Sequence, residues 1–215
     1  MMYLERRFAE CDVILRQGGH VNRSDLAHYQ FLCDHYDDLT QFYKGYGCNL
    51  VQHPDGFFFL LAQNSMLRTR LLPLPCVHLG MFIALRMRDP EITRSSGRIR
   101  TDSLLQAIDA SVPRETLLRV YAPKRREASA DARVTEEIQR TLKTLANLRF
   151  LEIQGDVIRP LEAIHRFAEL ARHENTPDDL ARMLLTEQRG VVFQEEGESE
   201  APEEIEDQEE DEGTD

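Results

Sequence analysis

The sequence is poor in the features that mark secreted, zinc-binding and membrane proteins. Only four of its 215 residues are cysteines, and none forms a C-x-x-C pair, which favours a reduced cytosolic protein. The first eight residues lack the apolar core of a secretory signal, so we expect no leader. The most apolar stretch, 71–85, contains two prolines and is shorter than the roughly 20 apolar residues that span a bilayer. We therefore expect no membrane association.

Catalytic and phosphate-binding motifs are missing as well. The chain contains neither G-x-x-x-x-G-K-[ST] nor G-x-S-x-G. Its seven histidines are scattered, and His28 and His35 have no third metal ligand in local register. We predict no catalytic residue, metal, cofactor or small-molecule substrate.

Positive charge is absent from the end of the chain. Residues 195–215 hold 13 of the 38 acidic residues and none of the 26 basic ones. Residues 1–194 therefore carry 26 bases and 25 acids, a net charge of +1, although the whole chain stands at −12. Because 195–215 also lacks aromatic residues and periodicity, we predict a disordered acidic tail.

One pattern occurs twice in the rest of the chain. Two helical patterns precede a β-hairpin at 48–61, with Gly56 in its turn, and two more precede a hairpin at 150–159. Helix–helix–hairpin is the outline of a winged-helix module, so we predict a mainly α fold with small hairpins (α+β) and tandem winged-helix domains. The predicted divisions are an N-terminal winged helix at 1–66, a C-terminal one at 74–172, a helical extension at 173–194 and the tail at 195–215.

Finer features can be checked against a structure. The unbroken apolar run 57–61 predicts a strand covered on both faces, with one face available to a partner. Leu26 is expected inward on a helix that begins after Ser24 and Asp25. A long helix over 131–149 should bury an apolar stripe, and Pro160 should begin a helix that ends near Arg172.

The first module is the candidate for protein contact. Asp34, Asp37 and Asp38 precede or begin the helix that would read DNA in a winged helix, and they would repel phosphate. The candidate interface residues are the aromatic ones of that helix and of the hairpin: Phe42, Tyr46, Phe57, Phe58 and Phe59.

The second module is the candidate for DNA contact. Residues 94–133 contain nine bases and five acids, and more bases follow along the long helix. Such residues give backbone contacts without sequence specificity. The alternative is a solvated surface of intrahelical ion pairs, which Glu136 and Glu137 favour. The candidate DNA-binding residues are Lys124, Arg125, Arg126, Arg133, Arg140, Lys143 and Arg149.

Residues 18–61 contain a characteristic set of short segments: Gly19-His20-Val21, Asp25-Leu26, Phe31-Leu32, Phe42-Tyr43, Tyr46, Leu50 and Pro54-Asp55-Gly56-Phe57-Phe58-Phe59-Leu60. In these segments the sequence resembles the MukE family of bacterial condensin subunits, from which MksE-type subunits cannot be separated by these features. Beyond residue 100 it survives as pattern, in the long helix, the hairpin and the acidic C-terminus.

The resemblance implies a tandem winged-helix protein that forms a homodimer, binds a MukF-like kleisin and thereby joins a MukB-like SMC-type ATPase. Such a subunit holds no nucleotide and serves chromosome condensation, organisation and segregation in the cell cycle, in the cytoplasm at the nucleoid. Its second module would contact double-stranded DNA. The chain departs from the family pattern at Ala146 and Asn147, where a more basic pair is expected.

Two other functions fit the same fold. One is a stand-alone winged-helix transcription regulator that binds an operator through its second module. The other is the equivalent subunit of an SMC complex that acts in plasmid defence. Neighbouring genes for a kleisin and a coiled-coil ATPase would favour a condensin or defence subunit over the regulator, and an adjacent nuclease gene would favour defence.

Overall fold

The computed structural model describes residues 2–64, 66–67, 72–89, 92, 97–123 and 130–172 of the chain. The predictions for Lys124, Arg125 and Arg126, for the extension 173–194 and for the tail 195–215 lie outside the described residues. Within the described part, helices alternate with two small antiparallel sheets, which confirms the predicted α+β class. None of the described helices is long and apolar enough to cross a bilayer.

The first unit, residues 2–67, contains three α-helices and one three-stranded sheet in its described part. Gly56 turns the hairpin with φ +91°, a conformation that side chains with a Cβ rarely adopt. The elements are a 3-10 turn at Met2–Leu4, α1 (Arg6–Arg16), β1 (Val21–Asn22), α2 (Leu26–Asp34), α3 (Tyr36–Lys44), β2 (Cys48–His53) and β3 (Phe57–Ala62).

The second unit, residues 72–172, repeats that order with one more helix before the hairpin. Its elements are α4 (Leu74–Arg86), β4 (Ile99–Arg100), α5 (Thr101–Ser111), α6 (Arg114–Tyr121), α7 (Ala130–Asn147), β5 (Leu151–Gln154), β6 (Val157–Pro160), a 3-10 turn at Glu162–Ile164 and α8 (His165–Arg172). The long helix expected near 131–149 is α7, which ends two residues earlier.

The two sheets share one topology. In each, the last strand of the hairpin lies in the middle, so the orders are β1-β3-β2 and β4-β6-β5. All pairings are antiparallel, with Val21 opposite Phe58 in the first sheet and Ile99 opposite Ile158 in the second. In each unit a short strand that precedes the helices, β1 or β4, therefore pairs with the hairpin that follows them.

Each unit has its own hydrophobic core, and two phenylalanines of the first unit contribute to the second core. The first core contains only residues up to 67, whereas the second contains residues 72–168 together with Phe57 and Phe59 of the first unit. Helix α7 buries Val134, Ile138 and Leu142 in the second core as predicted. Helix α4 is buried on every side from His78 to Ala84, because α6, α7 and α8 all pack on it.

Two local predictions were wrong. Leu26 is 68 % exposed, because it lies about 120–140° around the helix from Phe31 and Leu32, the buried residues of α2. Pro160 does not begin a helix: it is the last residue of β6 and pairs with Leu151. A strand end tolerates proline, whose missing N–H costs no ladder hydrogen bond there, and α8 begins only at His165.

Gly80 of α4 lies in close contact with a neighbouring helix in the second core. A Cβ on Gly80 would lie 2.6 Å from the ring of Phe167, which is buried and packs on Phe150. Gly80→Ala should therefore lower the free energy of unfolding by about 1–3 kcal/mol through overpacking. In an ordinary helix interior, by contrast, replacing glycine with alanine raises the free energy of unfolding by about 1 kcal/mol.

Chemical denaturation measures this effect, and Phe167→Leu supplies the matched background. In that background the ring no longer occupies the space, so Gly80→Ala should cost much less. Stabilisation by Gly80→Ala in the otherwise unchanged chain would contradict the packing argument.

Candidate functional site

A buried histidine of the first unit joins the two units. His20 lies directly before β1, is 1 % exposed, and places Nδ1 2.8 Å from the carbonyl oxygen of Leu148. Its Nε2 lies 2.8 Å from a guanidinium nitrogen of Arg166. A carbonyl only accepts and a guanidinium only donates, so Nδ1 carries the proton and Nε2 accepts. His20 is therefore held in its neutral form with both ring nitrogens bonded to the second unit.

The pKa of His20 reflects this environment. Burial lowers the pKa to about 3, the bond to the Leu148 carbonyl opposes that shift, and the charge of Arg166 adds to it. The ring is thus neutral throughout the physiological pH range.

Asn22, in β1, adds a second polar connection. Its side chain is 2 % exposed, and its amide nitrogen donates to the Arg149 carbonyl at 2.8 Å. Its amide oxygen accepts from the backbone N–H of Ala163, also at 2.8 Å. One side chain of the first unit thereby satisfies two backbone groups on separate segments of the second.

Aromatic side chains of the first hairpin complete the contact. Phe57 and Phe58 are both fully buried, but on opposite faces of β3: Phe57 in the second core and Phe58 in the first. Phe59 is half-buried, and the Arg166 guanidinium lies 4.0 Å above its ring. From Phe57 to Phe59 the strand is covered on both faces as its sequence predicts, but the chain's own second unit provides the cover that was expected from a partner. The prediction was wrong for Leu61, which is 47 % exposed.

Arg149, a predicted DNA-binding residue, lies in this contact. It follows α7 in a left-handed conformation, with φ +59°, and its guanidinium bonds Asp25 of the first unit at 2.9 Å. Asp25 also bonds His28 at 2.8 Å, and His28 bonds Glu10 at 3.0 Å. Burial alone would lower the pKa of His28, but the two carboxylates outweigh it and raise the pKa. The charge of Arg149 is thus engaged inside the chain.

Three predicted DNA-binding residues share one exposed face of α7: Arg133, Arg140 and Lys143. Arg133 bonds Glu136 at 2.9 Å and Arg140 bonds Glu137 at 3.5 Å, both within the helix. These ion pairs are the ones that the alternative of a solvated surface anticipates. We call this surface, from Arg133 to Asn147, the basic face of α7.

The predicted interface aromatics divide into two groups. Phe57 and Phe59 pack against the second unit, and Phe58 is buried in the first core. Phe42 of α3 and Tyr46, just after α3, instead belong to a half-buried aromatic cluster. In it Phe42 contacts Tyr3 and Phe8 with ring centroids 5.4 and 5.3 Å apart. Nothing in the sequence indicated that Tyr3 would join this cluster.

Sequence reasoning also missed the roles of His20, Asn22 and Arg166. The available signal was a pair of polar residues, His20 and Asn22, on either side of Val21, but it does not indicate which segment the pair would meet. No group of three His, Cys, Asp or Glu side chains among the described residues is arranged to hold a metal ion.

Comparison with known proteins places both units in one family. The family model described as "Condensin complex protein MksE" matches residues 6–172, from the start of α1 to the end of α8. The chain belongs to the MksE family of condensin complex proteins. It is also similar to curated proteins named "Chromosome partition protein MukE". That of Vibrio cholerae serotype O1 is 26 % identical over 189 residues, covering 86 % of this chain and 82 % of the relative.

Two further relatives with the same name agree with this assignment. The protein of Aliivibrio salmonicida is 24 % identical over 194 residues, covering 88 % of this chain and 82 % of its own length. The protein of Shigella flexneri is 24 % identical over 183 residues, covering 83 % of this chain and 81 % of its own length.

The family resemblance has a structural meaning in this MksE-family chain. Two of the segments that carry it, Gly19-His20-Val21 and the segment with Phe57 and Phe59, contribute to the contact between the units. Other segments, such as Phe31-Leu32 and Leu50, lie in the core of the first unit. Part of the recognisable sequence therefore places one unit against the other.

The buried His20 should make stability depend on pH. Its folded-state pKa of about 3 lies below the ordinary 6.5, so between these values the unfolded chain binds a proton that the folded chain does not. Stability must then fall as pH drops below 6.5, by up to about 1.4 kcal/mol per pH unit for one group. His20→Gln should cost about 1–3 kcal/mol at neutral pH and flatten the profile between pH 5 and 6.5.

Denaturation midpoints across this pH range measure both effects. His28→Gln is the matched control, because the pKa of His28 is raised and its stabilisation is instead lost as pH increases through that pKa. Parallel profiles for His20→Gln and the unchanged chain would show that His20 does not carry the pH dependence.

Proposed function

We propose that the chain is a non-catalytic subunit of an SMC-type condensin, which binds the kleisin subunit and takes part in chromosome condensation, organisation and segregation. The observation that carries the proposal is the family match, which extends over both units, together with relatives named for chromosome partition. The subunit would act in the cytoplasm, at the nucleoid, and reach the SMC ATPase through the kleisin.

We infer that both units are winged helices, with domains at 1–66 and 74–172. The order helix, strand, helices, hairpin supports this inference, as does the central position of the last hairpin strand in both sheets. A winged helix without catalytic motifs is a binding module, which fits a subunit that connects other components.

The first unit supplies the surface that we propose for protein partners. Large apolar side chains with high exposure in the described residues are Tyr3, Leu4, Val13, Leu26, Leu61, Met66 and Ile153. Six of these seven belong to the first unit, and Leu4 is 84 % exposed. Concentrated apolar exposure is characteristic of protein interaction sites. The kleisin and the second copy of a homodimer are the proposed occupants, with Phe42 and Tyr46 at the edge of the surface.

The basic face of α7 supplies the proposed contact with double-stranded DNA. Its arginines are exposed and paired with glutamates of the same helix, and such pairs contribute only about 0–1 kcal/mol each. Phosphates can therefore exchange for the glutamates at small cost. Point charges along one helix face read no bases, so the contact would be weak, salt-dependent and independent of sequence.

Glutamate substitutions on the first unit test the protein surface. Val13 and Leu26 are exposed, so Val13→Glu and Leu26→Glu should leave the fold intact. Both residues belong to the proposed protein surface, so each substitution should weaken kleisin binding at least tenfold. Ile153→Glu on the second unit is the matched control. Light scattering alone and with the kleisin gives the stoichiometry, and a monomer without affinity for the kleisin would overturn the proposal.

Charge changes on α7 test the DNA contact. Arg140→Glu with Lys143→Glu should weaken binding equally for unrelated duplexes, and each lost phosphate contact should lower the salt slope by about 0.9. Glu136→Gln with Glu137→Gln should strengthen binding, because the arginines lose their competing partners. Fluorescence anisotropy over a salt series measures both. An effect confined to one operator would instead support a transcription regulator.

A further inference from the structure

Acidic residues are concentrated at the end of this chain. Residues 195–215 contain 13 acidic and no basic residues, a net charge of −13. Helix α7 on the second unit presents Arg133, Arg140 and Lys143 on one exposed face, with Glu136 and Glu137 beside them. The sequence places Lys124, Arg125 and Arg126 directly ahead of that helix. The chain therefore contains a polyanion and a group of cations, of which Arg133 and Arg140 are paired with glutamates of the same helix.

The basic face is accessible to an anion. The side chain of Arg140 is 79 % exposed, and that of Arg133 is about half exposed. A guanidinium has five N–H donors, and the bond to a glutamate in each pair uses one of them. Carboxylates and phosphates are recognised by the same fork of donors, so the face cannot distinguish an acidic segment from a DNA backbone by hydrogen bonding alone.

The connection to the tail permits the contact. Helix α8 ends at Arg172 and packs on α4, which in turn packs on α7, so the chain leaves the described structure from the same unit that holds the basic face. The 22 residues of 173–194 can span at most about 75 Å. Helix α7, with 18 residues, is only about 27 Å long. A tethered segment has an effective concentration in the millimolar range, which compensates for weak individual ion pairs.

We propose that the acidic segment 195–215 binds the basic face of α7 within the same chain and competes there with double-stranded DNA. The competition rests on the DNA contact proposed above, whereas the intramolecular contact does not. DNA must displace the tail before it binds, so the tail lowers the affinity of the protein for any duplex. A third molecule that binds the tail would therefore raise the affinity for DNA.

The intramolecular contact is tested in the full chain without DNA. A nitroxide on Ile205→Cys, in a Cys33→Ser background, should broaden the NMR signals of backbone amides along 133–147 at low salt. Replacing the thirteen tail carboxylates by their amides should abolish the broadening, and a scrambled tail of the same composition should retain it. Arg140→Glu with Lys143→Glu should reduce it, while Arg6→Glu on the first unit should not. Absence of broadening at low salt overturns the contact.

Competition is measured with a 30-base-pair duplex of random sequence. The amide tail should raise affinity at least tenfold at low salt, and the scrambled tail should leave it unchanged. Equal affinities for all three tails, without broadening, overturn the tail contact and leave the DNA contact standing. Broadening without DNA binding by any tail variant overturns the competition and the DNA contact, while the intramolecular contact stands.

Discussion

A neutral imidazole between a carbonyl and a guanidinium determines how the two units of this protein fit together. His20 donates to Leu148 and accepts from Arg166, and both partners belong to the second unit. Protonation would place two cations 2.8 Å apart in a buried site, and removal of the ring would leave a buried carbonyl unsatisfied. The contacts of Asn22 and the burial of Phe57 in the second core depend on the same relative placement of the units. The polar hydrogen bonds define the relative position of the two units, and the aromatic side chains contribute the buried apolar area of the contact.

The contact between the units also explains which partners the neighbouring side chains have. Arg149 is basic and follows a helix with a basic face, yet its left-handed backbone directs it to Asp25 of the other unit. Phe57 and Phe58 are apolar and adjacent, yet each fills a different core. The surfaces proposed for partners use other side chains: exposed apolar residues of the first unit, and charged residues along α7 on the second. Because the junction bonds define how the two units are placed, a partner bound to one unit would have a defined position relative to a partner bound to the other.

Features set by local periodicity could be predicted from the sequence, and features set by contacts between distant segments could not. The stripe Val134, Ile138 and Leu142 repeats with the helical period, and Gly56 marks a turn that few other residues can form, so α7 and the first hairpin were predictable. Leu26 was misplaced because an apolar residue at the first position of a helix is in phase with several alternative stripes. Phe57 is buried in a core built mainly from residues of the second unit, and a single sequence contains no information on that pairing. The proposed DNA face was predictable as a set of charges, but its ion pairs with Glu136 and Glu137 became specific only in the structure.

The charge arrangement on α7 has a consequence for specificity. Sequence readers place bidentate side chains where they meet base edges, whereas Arg133 and Arg140 each share a donor with a neighbouring glutamate on an exposed helix surface. Such a surface exchanges one anion for another at little cost, which would suit the sequence-independent DNA contact proposed above. The same property would allow the proposed contact with the acidic segment of the same chain. A DNA contact without base recognition and an intramolecular acidic segment are therefore compatible proposals for one helix face.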